Sequence, residues 1–183
     1  MRWATLARAD LRAYLAEVAE EMSFDYHEPT SIREAVELGA RFGAEGRFLA
    51  GGTDLMVQIH RGRCAPRQVV SLQRVPGLDA IDVDGTIALG ALVTHRRLER
   101  APAFQGALRA LVESAEVIGG HQIRNVATVG GNVVNASPAA DVVPVLLALD
   151  ATVTCPVLTV SGRCRSMASR PGRASRLGGR TSC

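Results

Sequence analysis

Apolar residues recur at helical spacing in some segments of the chain and fill short continuous runs in others, which predicts a mixture of helices and strands. The pattern divides the chain into four segments. We predict an N-terminal helical extension over 1–21, a small βαβ-type unit over 22–75, a larger mixed-sheet unit with helices over 76–155, and a basic, disordered tail over 156–183. The predicted fold class is therefore α+β with two subdomains.

The unit over 22–75 shows clear signals for the start and the end of its first helix. Ser31 and Glu34 form a capping box, and Gly43 is the predicted glycine stop. A strand, a short helix and a second strand are predicted after it, at 47–50, 54–60 and 68–72. This order of elements predicts a compact unit that contains its own small sheet.

The unit over 76–155 opens with a predicted hairpin. Its turn is Asp84-Gly85, a dipeptide that tolerates positive φ at both positions. Thr94 is the predicted N-cap of a short helix at 95–100. Three further elements are predicted after it, a helix over 101–119, a helix over 139–150 and a strand at 151–155.

The positive charge of the chain is concentrated in the tail. The formal net charge is +3, but residues 156–183 contain six arginines and no acidic residue, so the remainder carries −3. A nucleic-acid surface needs basic residues clustered on a folded element, and residues 1–155 offer no such patch. The sequence therefore predicts no nucleic-acid partner.

Several other classes of site lack their sequence signals. No apolar stretch approaches the roughly 20 residues that cross a bilayer, and the start of the chain lacks the apolar region of a secretory signal, so we expect a soluble cytoplasmic protein. The cysteines show no CxxC spacing and the histidines no HExxH pattern, so no metal site is predicted. No catalytic residue is predicted, because neither a nucleophile elbow nor a Walker A loop is present.

Two segments share an unusual plan, in which an apolar run meets a glycine pair and a short polar residue. They are "FLAGGTDLMVQ" at 48–58 and "NVATVGGNVVNASP" at 125–138. Glycine leaves the backbone amides open to another group, and successive outward amides form an anion-binding nest. Two such nests suit a diphosphate. Two ordinary tight turns, each followed by a helix cap, are the alternative, and the spacing alone does not decide between them.

The same two segments, with the linking "IALGALVTHRRLE", resemble the FAD-binding medium subunit of the molybdenum hydroxylases, the xanthine dehydrogenase and carbon monoxide dehydrogenase family. The resemblance covers about 22–154 and implies that both segments clasp FAD. It implies cofactor contacts from the first segment at Leu49, Ala50, Gly51, Gly52, Thr53, Asp54 and Leu55. It implies further contacts from Ile118, Thr128, Gly130, Gly131, Asn132, Asn135, Ser137 and Asp141.

These residues also have purely structural interpretations. Thr53 and Thr128 can cap turns, Asn132 can occupy a positive-φ position, and Asp141 can lie beside a helix N-cap. Ile118 can be a core residue. A carboxylate repels a diphosphate, so Asp54 is interpreted as a structural cap that also touches the cofactor.

The resemblance implies a function in electron transfer. In the family, a large molybdenum-cofactor subunit oxidises the substrate, a small subunit carries the electrons through [2Fe-2S] clusters, and the flavin subunit passes them to an external acceptor. The chain itself has no cluster cysteines, so both of those subunits are expected partners.

The chain departs from the family after the "ATVT" strand, where relatives continue into a C-terminal α+β domain. At that point the arginine-rich tail begins, which resembles a reading-frame slip, with a terminal interaction peptide as the alternative. Two other functions remain open at this stage. They are a truncated fragment that folds without turnover, and a flavoenzyme of another class with the same FAD-binding fold.

Overall fold

The computed structural model describes residues 23–104, 106–137, 140–155 and 162–164. The helix predicted over 1–21 lies outside these residues, as does most of the tail. Within the described residues the fold is a mixture of helices and short strands, as predicted. No helix in this part of the chain combines the length and the apolar character needed to cross a bilayer.

The first unit contains a three-stranded parallel sheet. Its elements are β1 (Asp25–His27), α1 (Ile32–Phe42), β2 (Gly46–Leu49), α2 (Leu55–His60) and β3 (Gln68–Ser71). β3 lies between β1 and β2 and pairs in parallel with both. Val69 and Val70 are almost completely buried, because their strand β3 is the central one of the three. The predicted βαβ-type arrangement is confirmed.

Both ends of α1 follow the predicted chemistry. The Ser31 hydroxyl accepts a hydrogen bond from the Glu34 amide at 3.2 Å. The Glu34 carboxylate accepts from the amide of Thr30 at 2.8 Å, one residue before the position that a standard capping box uses. Gly43 ends the helix with φ +50°, a conformation that favours glycine.

The described part of the second unit contains five α-helices and two small antiparallel sheets, and four of these helices contribute residues to one apolar core. Its elements are β4 (Ile81–Asp82), β5 (Ala88–Leu89), α3 (His95–Arg100), α4 (Arg109–Glu116), α5 (His121–Val126), α6 (Val129–Asn135), α7 (Val142–Ala148), β6 (Val153–Cys155) and β7 (Gly162–Cys164). The buried core consists of Val93, Leu98, Phe104, Leu111, Ala115, Val129 and Val142. The hairpin of β4 and β5 is confirmed, and Gly85 in its turn has φ +80°. β7, which pairs with β6, lies within the segment predicted as a tail.

One prediction for this unit was wrong, and the tight-turn alternative fails for the second glycine pair. The long helix over 101–119 is a single 3-10 turn followed by α4, because Gly106 has φ +60° and cannot continue a helix, while Phe104 turns inward to the core. The second glycine pair does not form a turn. Gly130 and Gly131 lie in the first turns of α6, after an extended residue, Thr128.

A buried arginine joins α5 to the segment that follows α4. Arg124 is only 7% exposed, and its Nη1 donates to the carbonyl oxygens of Glu116 at 2.9 Å, Ile118 at 3.2 Å and Gly119 at 2.8 Å. These carbonyls belong to the end of α4, where a cation is favourable. Arg124 therefore holds the backbone on both sides of Ile118.

The charge of Arg124 is balanced by Glu99 of α3. The Arg124 Nε lies 3.4 Å from a Glu99 carboxylate oxygen, which is close enough for an ion pair although the two atoms are not aligned for a hydrogen bond. The same carboxylate accepts a 2.6 Å hydrogen bond from Arg96, which is the main cause that lowers the pKa of Glu99. The charges of Arg96 and Arg124 act in the same direction.

We predict that Arg124→Met lowers the free energy of unfolding by about 3 kcal/mol, because three carbonyls and a carboxylate lose a buried partner. Arg109→Met is the matched control, since Arg109 is exposed and pairs with the exposed Glu113, so the substitution should change stability by less than about 1 kcal/mol. Denaturant unfolding of the full chain measures both. Equal effects of the two substitutions would contradict the structural role of Arg124.

Candidate functional site

A cavity of about 680 Å³ lies between the two units, where the two glycine segments face each other. Fourteen of the fifteen site residues predicted from the sequence line it. They are Ala50, Gly51, Gly52, Thr53, Asp54, Leu55, Ile118, Thr128, Gly130, Gly131, Asn132, Asn135, Ser137 and Asp141. Among the described residues Leu49 is the exception. It ends β2, and its carbonyl accepts a hydrogen bond from the Leu72 amide at 2.9 Å.

The first glycine segment reaches the second unit through Gly51. A Cβ added to Gly51 would collide with the carbonyl oxygen of Val126, at the end of α5. This close approach of two backbones excludes any side chain at position 51. Gly52 has a different requirement, because its φ of +76° lets the chain turn from β2 into α2. The two adjacent glycines are therefore needed for different reasons.

The second glycine segment is fixed by backbone hydrogen bonds to the strand-like residues before α3. The amide of Val129 donates to the Val93 carbonyl at 2.9 Å, and the amide of Gly130 donates to the Ala91 carbonyl at 3.0 Å. A Cβ on Gly130 would lie 2.6 Å from that Ala91 oxygen. Gly130, like Gly51, is needed because the backbone of the protein itself packs against it.

Gly131 and Asn132 both line the cavity. Gly131 leaves space there because it has no side chain, and Asn132 contributes a polar side chain. A Cβ on Gly131 would have a single close neighbour, the Thr128 hydroxyl oxygen at 3.0 Å. The side-chain oxygen of Asn132 is buried and has no hydrogen-bond partner within the described residues. A buried amide oxygen without a partner costs stability, so a ligand in the cavity would relieve that cost.

The structural interpretations hold for Thr128 and for Ile118, which packs against the buried core of the second unit, and fail for others. Thr128 caps α6, because its hydroxyl accepts from the Gly131 amide at 3.0 Å. Asp54 and Asp141 occupy N-cap positions, but neither side chain makes a capping hydrogen bond, so the prediction that Asp54 is a structural cap was wrong. Asn132 is helical; the positive φ in that region belongs to Ala136.

The backbone of the first segment offers further donors. No hydrogen bond is present within the described residues for the amides from Gly51 to Leu55, which line the cavity. Asp54 and Asp141 are exposed at the same cavity, where their carboxylates can accept hydrogen bonds from hydroxyl groups. The site thus combines neutral donors with two acceptors at its surface.

Sequence reasoning missed eleven residues that also line the cavity. They are Arg47, Phe48, Gln58, Leu72, Ala91, His95, Ile123, Ala127, Val134, Ala136 and Ala140. Most are apolar. Phe48, Gln58, Ala127, Val134 and Ala136 belong to the two glycine segments, and Ala91 and His95 belong to the linking stretch 87–99, but neither the pattern nor the resemblance assigned them a contact. The others reach the cavity through the packing of other segments. His95 is different, since it is a buried titratable residue; burial is the main cause that lowers its pKa, and the nearby charge of Asp141 opposes this effect.

Among the described residues, no three histidine, cysteine or acidic side chains are grouped so that they could hold a metal ion. The cavity is lined by backbone amides, neutral polar side chains, apolar groups and the charged residues Arg47, Asp54 and Asp141. Such a lining suits an organic ligand that has both an anionic part and an apolar part.

Comparison with known proteins gives consistent results. The family described as "FAD binding domain in molybdopterin dehydrogenase" matches residues 22–167. The chain is 41% identical over 133 residues to the 6-hydroxypseudooxynicotine dehydrogenase complex subunit alpha of Paenarthrobacter nicotinovorans, covering 72% of this chain and 45% of the relative. It is 36% identical over 132 residues to the nicotinate dehydrogenase FAD-subunit of Eubacterium barkeri, covering 71% and 45%.

A solved structure shows the same fold. The crystal structure of the cyanide-inactivated Cu,Mo-CO dehydrogenase matches with a TM-score of 0.68 and 33% identity, over 70% of this chain and 46% of that one. The chain thus spans about half the length of the relatives that it matches. The two-subdomain α+β prediction and the predicted resemblance are confirmed. The chain belongs to the family of FAD-binding domains of the molybdopterin dehydrogenases, and its cofactor is FAD.

Proposed function

We propose that the cavity between the two units is the FAD site and that the chain serves as the flavin-binding, electron-transferring part of a molybdenum hydroxylase. The observation that carries the proposal is the convergence of the two glycine segments on one cavity, which fourteen of the predicted residues line. The segments are distant in sequence, so their meeting is a property of the fold and not of their local pattern.

The residues present fit FAD in three respects. The unpartnered Asn132 side-chain oxygen needs a hydrogen-bond donor, which the hydroxyl and amine groups of FAD can supply. The space beside Gly131 is open because no side chain fills it. The amides from Gly51 to Leu55 can donate to the diphosphate, at about 1.5–3 kcal/mol for each hydrogen bond to a charged group.

The two carboxylates at the cavity have a separate role in this proposal. Asp54 and Asp141 are exposed, so they would be poor neighbours for a diphosphate and good acceptors for ribose hydroxyls. The apolar residues Ile118 and Ile123 lie in the same cavity and suit a flat aromatic ring. The chain then binds and orients FAD without a general acid or base of its own.

When it is bound, FAD supplies the redox chemistry, because it exchanges electrons one at a time or in pairs. We propose a molybdenum-cofactor large subunit and a [2Fe-2S] small subunit as partners that deliver electrons to it. The proposal is supported by relatives that are themselves named as subunits, among them the carbon monoxide dehydrogenase medium chain of Hydrogenophaga pseudoflava.

We predict that the purified chain binds FAD without a covalent bond. Acid precipitation should release all of the yellow cofactor into the supernatant. Free FAD at about one hundred times its dissociation constant should stabilise the fold by about 2.7 kcal/mol, which a thermal-shift experiment detects. Flavin that stays on the precipitated protein would contradict non-covalent binding, and the absence of both colour and thermal shift would contradict the FAD site.

A second prediction concerns the open space beside Gly131. Gly131→Val should place three carbon atoms in the cavity and weaken FAD binding by about 1–3 kcal/mol, which is roughly 5- to 150-fold. Isothermal titration measures the affinity, and circular dichroism measures the helix content of the protein without cofactor.

Gly120→Val is the matched control for this substitution. Gly120 is the N-cap of α5 and has a φ of −89°. A Cβ at this position would have one neighbour within 4 Å, the flexible side chain of Gln122 at 3.3 Å. Gly120 is not among the described residues that line the cavity. FAD affinity should therefore stay close to that of the unmodified chain. Unchanged affinity in Gly131→Val would show that FAD binds elsewhere.

The electron-transfer role is tested with the iron–sulfur partner alone, which avoids the need to know the substrate. The [2Fe-2S] subunit from the same organism is reduced chemically, freed of excess reductant and mixed anaerobically with the FAD-loaded chain. We expect the oxidised flavin absorbance to bleach in proportion to the reduced subunit added. A chain that binds FAD but shows no bleaching would contradict the electron-transfer role and leave the FAD site intact.

A further inference from the structure

His95 is a buried histidine in the wall of the cavity, and one nitrogen of its ring has no hydrogen-bond partner among the residues that the structure describes. It is the first residue of α3, it is only 1% exposed, and it lines the same cavity as Thr53 and Asn132. Its Nδ1 atom is fully buried and has no hydrogen-bond partner among the described residues. An imidazole in this position needs a partner that the protein itself does not provide.

The backbone holds the ring at the cavity. The amide of His95 donates to the Ala127 carbonyl at 3.0 Å, and the neighbouring Thr94 forms a β-bridge with Thr128. Thr94 also caps α3, because its hydroxyl accepts from the Arg97 amide at 3.2 Å. The position of His95 is therefore tied to the second glycine segment, and a ring fixed in this way can contact a ligand held by that segment.

The charges around His95 leave room for a cation. Charged or titratable groups of the elements packed against α3 are Arg109, Glu113 and Glu116 of α4, His121 and Arg124 of α5, and Asp141 before α7. The negative charge of Asp141 raises the pKa of His95 and so opposes the effect of burial. At the cavity itself, Asp54 and Asp141 carry negative charge, and the Arg47 guanidinium is engaged by the carbonyls of Ala44 and Gly46. Among the described residues that line the cavity, Arg47 is the basic residue, so a protonated His95 would add a second cation for a phosphate ligand.

We propose that the imidazole of His95 pairs with the diphosphate group of bound FAD and takes up a proton when the cofactor binds. The inference rests on the FAD site proposed above and assigns to that site a residue outside the two glycine segments. It makes FAD affinity depend on pH through a single side chain.

The direction of this dependence follows from the two environments of the ring. Without cofactor, burial lowers the pKa of His95, so the ring is neutral near pH 7. The diphosphate of FAD keeps its negative charge over the whole titration range of histidine and favours the imidazolium form. The complex then binds more protons than the free protein, so FAD affinity rises as the pH falls through the pKa of His95 in the complex.

The same burial predicts the stability of the protein without cofactor. Because the pKa of His95 is lowered in the fold, the unfolded chain takes up the proton first as the pH falls. The contribution of the neutral ring to stability is complete above the unfolded pKa of about 6.5 and declines below it. His95→Leu removes this decline and provides a check that the ring titrates as described.

The experiment compares the full chain with His95→Gln and His95→Leu. The dissociation constant for FAD is measured by flavin fluorescence from about pH 5 to about pH 8, the range in which histidine changes its charge. We expect the unmodified chain to bind FAD more tightly as the pH falls, by at most about tenfold for each pH unit. His95→Gln keeps a neutral hydrogen-bond donor and should bind with little pH dependence, and His95→Leu should bind more weakly with little pH dependence.

Two fragments of FAD identify the group that His95 contacts. ADP-ribose contains the same non-titrating diphosphate linkage without the flavin, and riboflavin contains the flavin without phosphate. Competition by ADP-ribose should show the pH dependence in the unmodified chain and lose it in His95→Gln, whereas riboflavin should show none.

The outcomes separate this inference from the FAD site itself. FAD binding with the same pH dependence in the unmodified chain and in His95→Gln, or a pH dependence carried by riboflavin, would overturn the role of His95 alone. A folded chain that binds no FAD at any pH would overturn the FAD site, and the role of His95 with it.

Discussion

The close approach of Gly51 to the Val126 carbonyl is the contact on which the rest of the site depends. The first unit is built on a three-stranded sheet, and the second unit is built on a core between helices. Each unit buries its apolar residues mainly against residues of the same unit. Where they meet, a backbone turn touches the end of a helix with no side chain between them. That contact brings residues of both glycine segments into the lining of one cavity.

The four glycines of the two segments therefore do not share one purpose. Gly51 and Gly130 allow the protein to pack against its own backbone, Gly52 supplies a left-handed turn, and Gly131 leaves room inside the cavity. Similar sequence patterns arise here from different geometric needs. The first segment is a strand, a turn and a helix, while the second is an extended residue followed directly by a helix.

The parts of the fold that could be predicted from the sequence are those set by local chemistry. Ser31 and Thr94 cap their helices, and Gly43 and Gly85 take positive φ values, because each depends only on residues a few positions away. The shortening of the helix over 101–119 depends on Phe104 joining a core built from distant segments, so helical periodicity alone could not reveal it.

The site residues also divide into those that the local sequence reveals and those that depend on the packing of distant segments. The resemblance located the glycine segments, and the structure places nearly all of their predicted residues at the cavity. It assigned no role to His95, which lies in the linking stretch 87–99 outside the two glycine segments. The hydrogen bonds that pair its strand-like neighbours with Thr128 and Val129 place His95 at the cavity. A buried polar atom without a partner is visible only in three dimensions.

The contact at Gly51 also bears on how the molecule reaches its folded state. The strand pairs of the first unit, such as Asp25 with Gln68, join positions that are closer in sequence than Gly51 and Val126, and contacts of shorter separation form earlier in folding. Gly51 and Val126 must instead close a long loop before they meet, with an entropic cost and little apolar surface gained in return. We therefore expect the two units to fold first and to dock last, so that the nascent chain acquires its cavity, and with it any affinity for a dinucleotide, only at the final step.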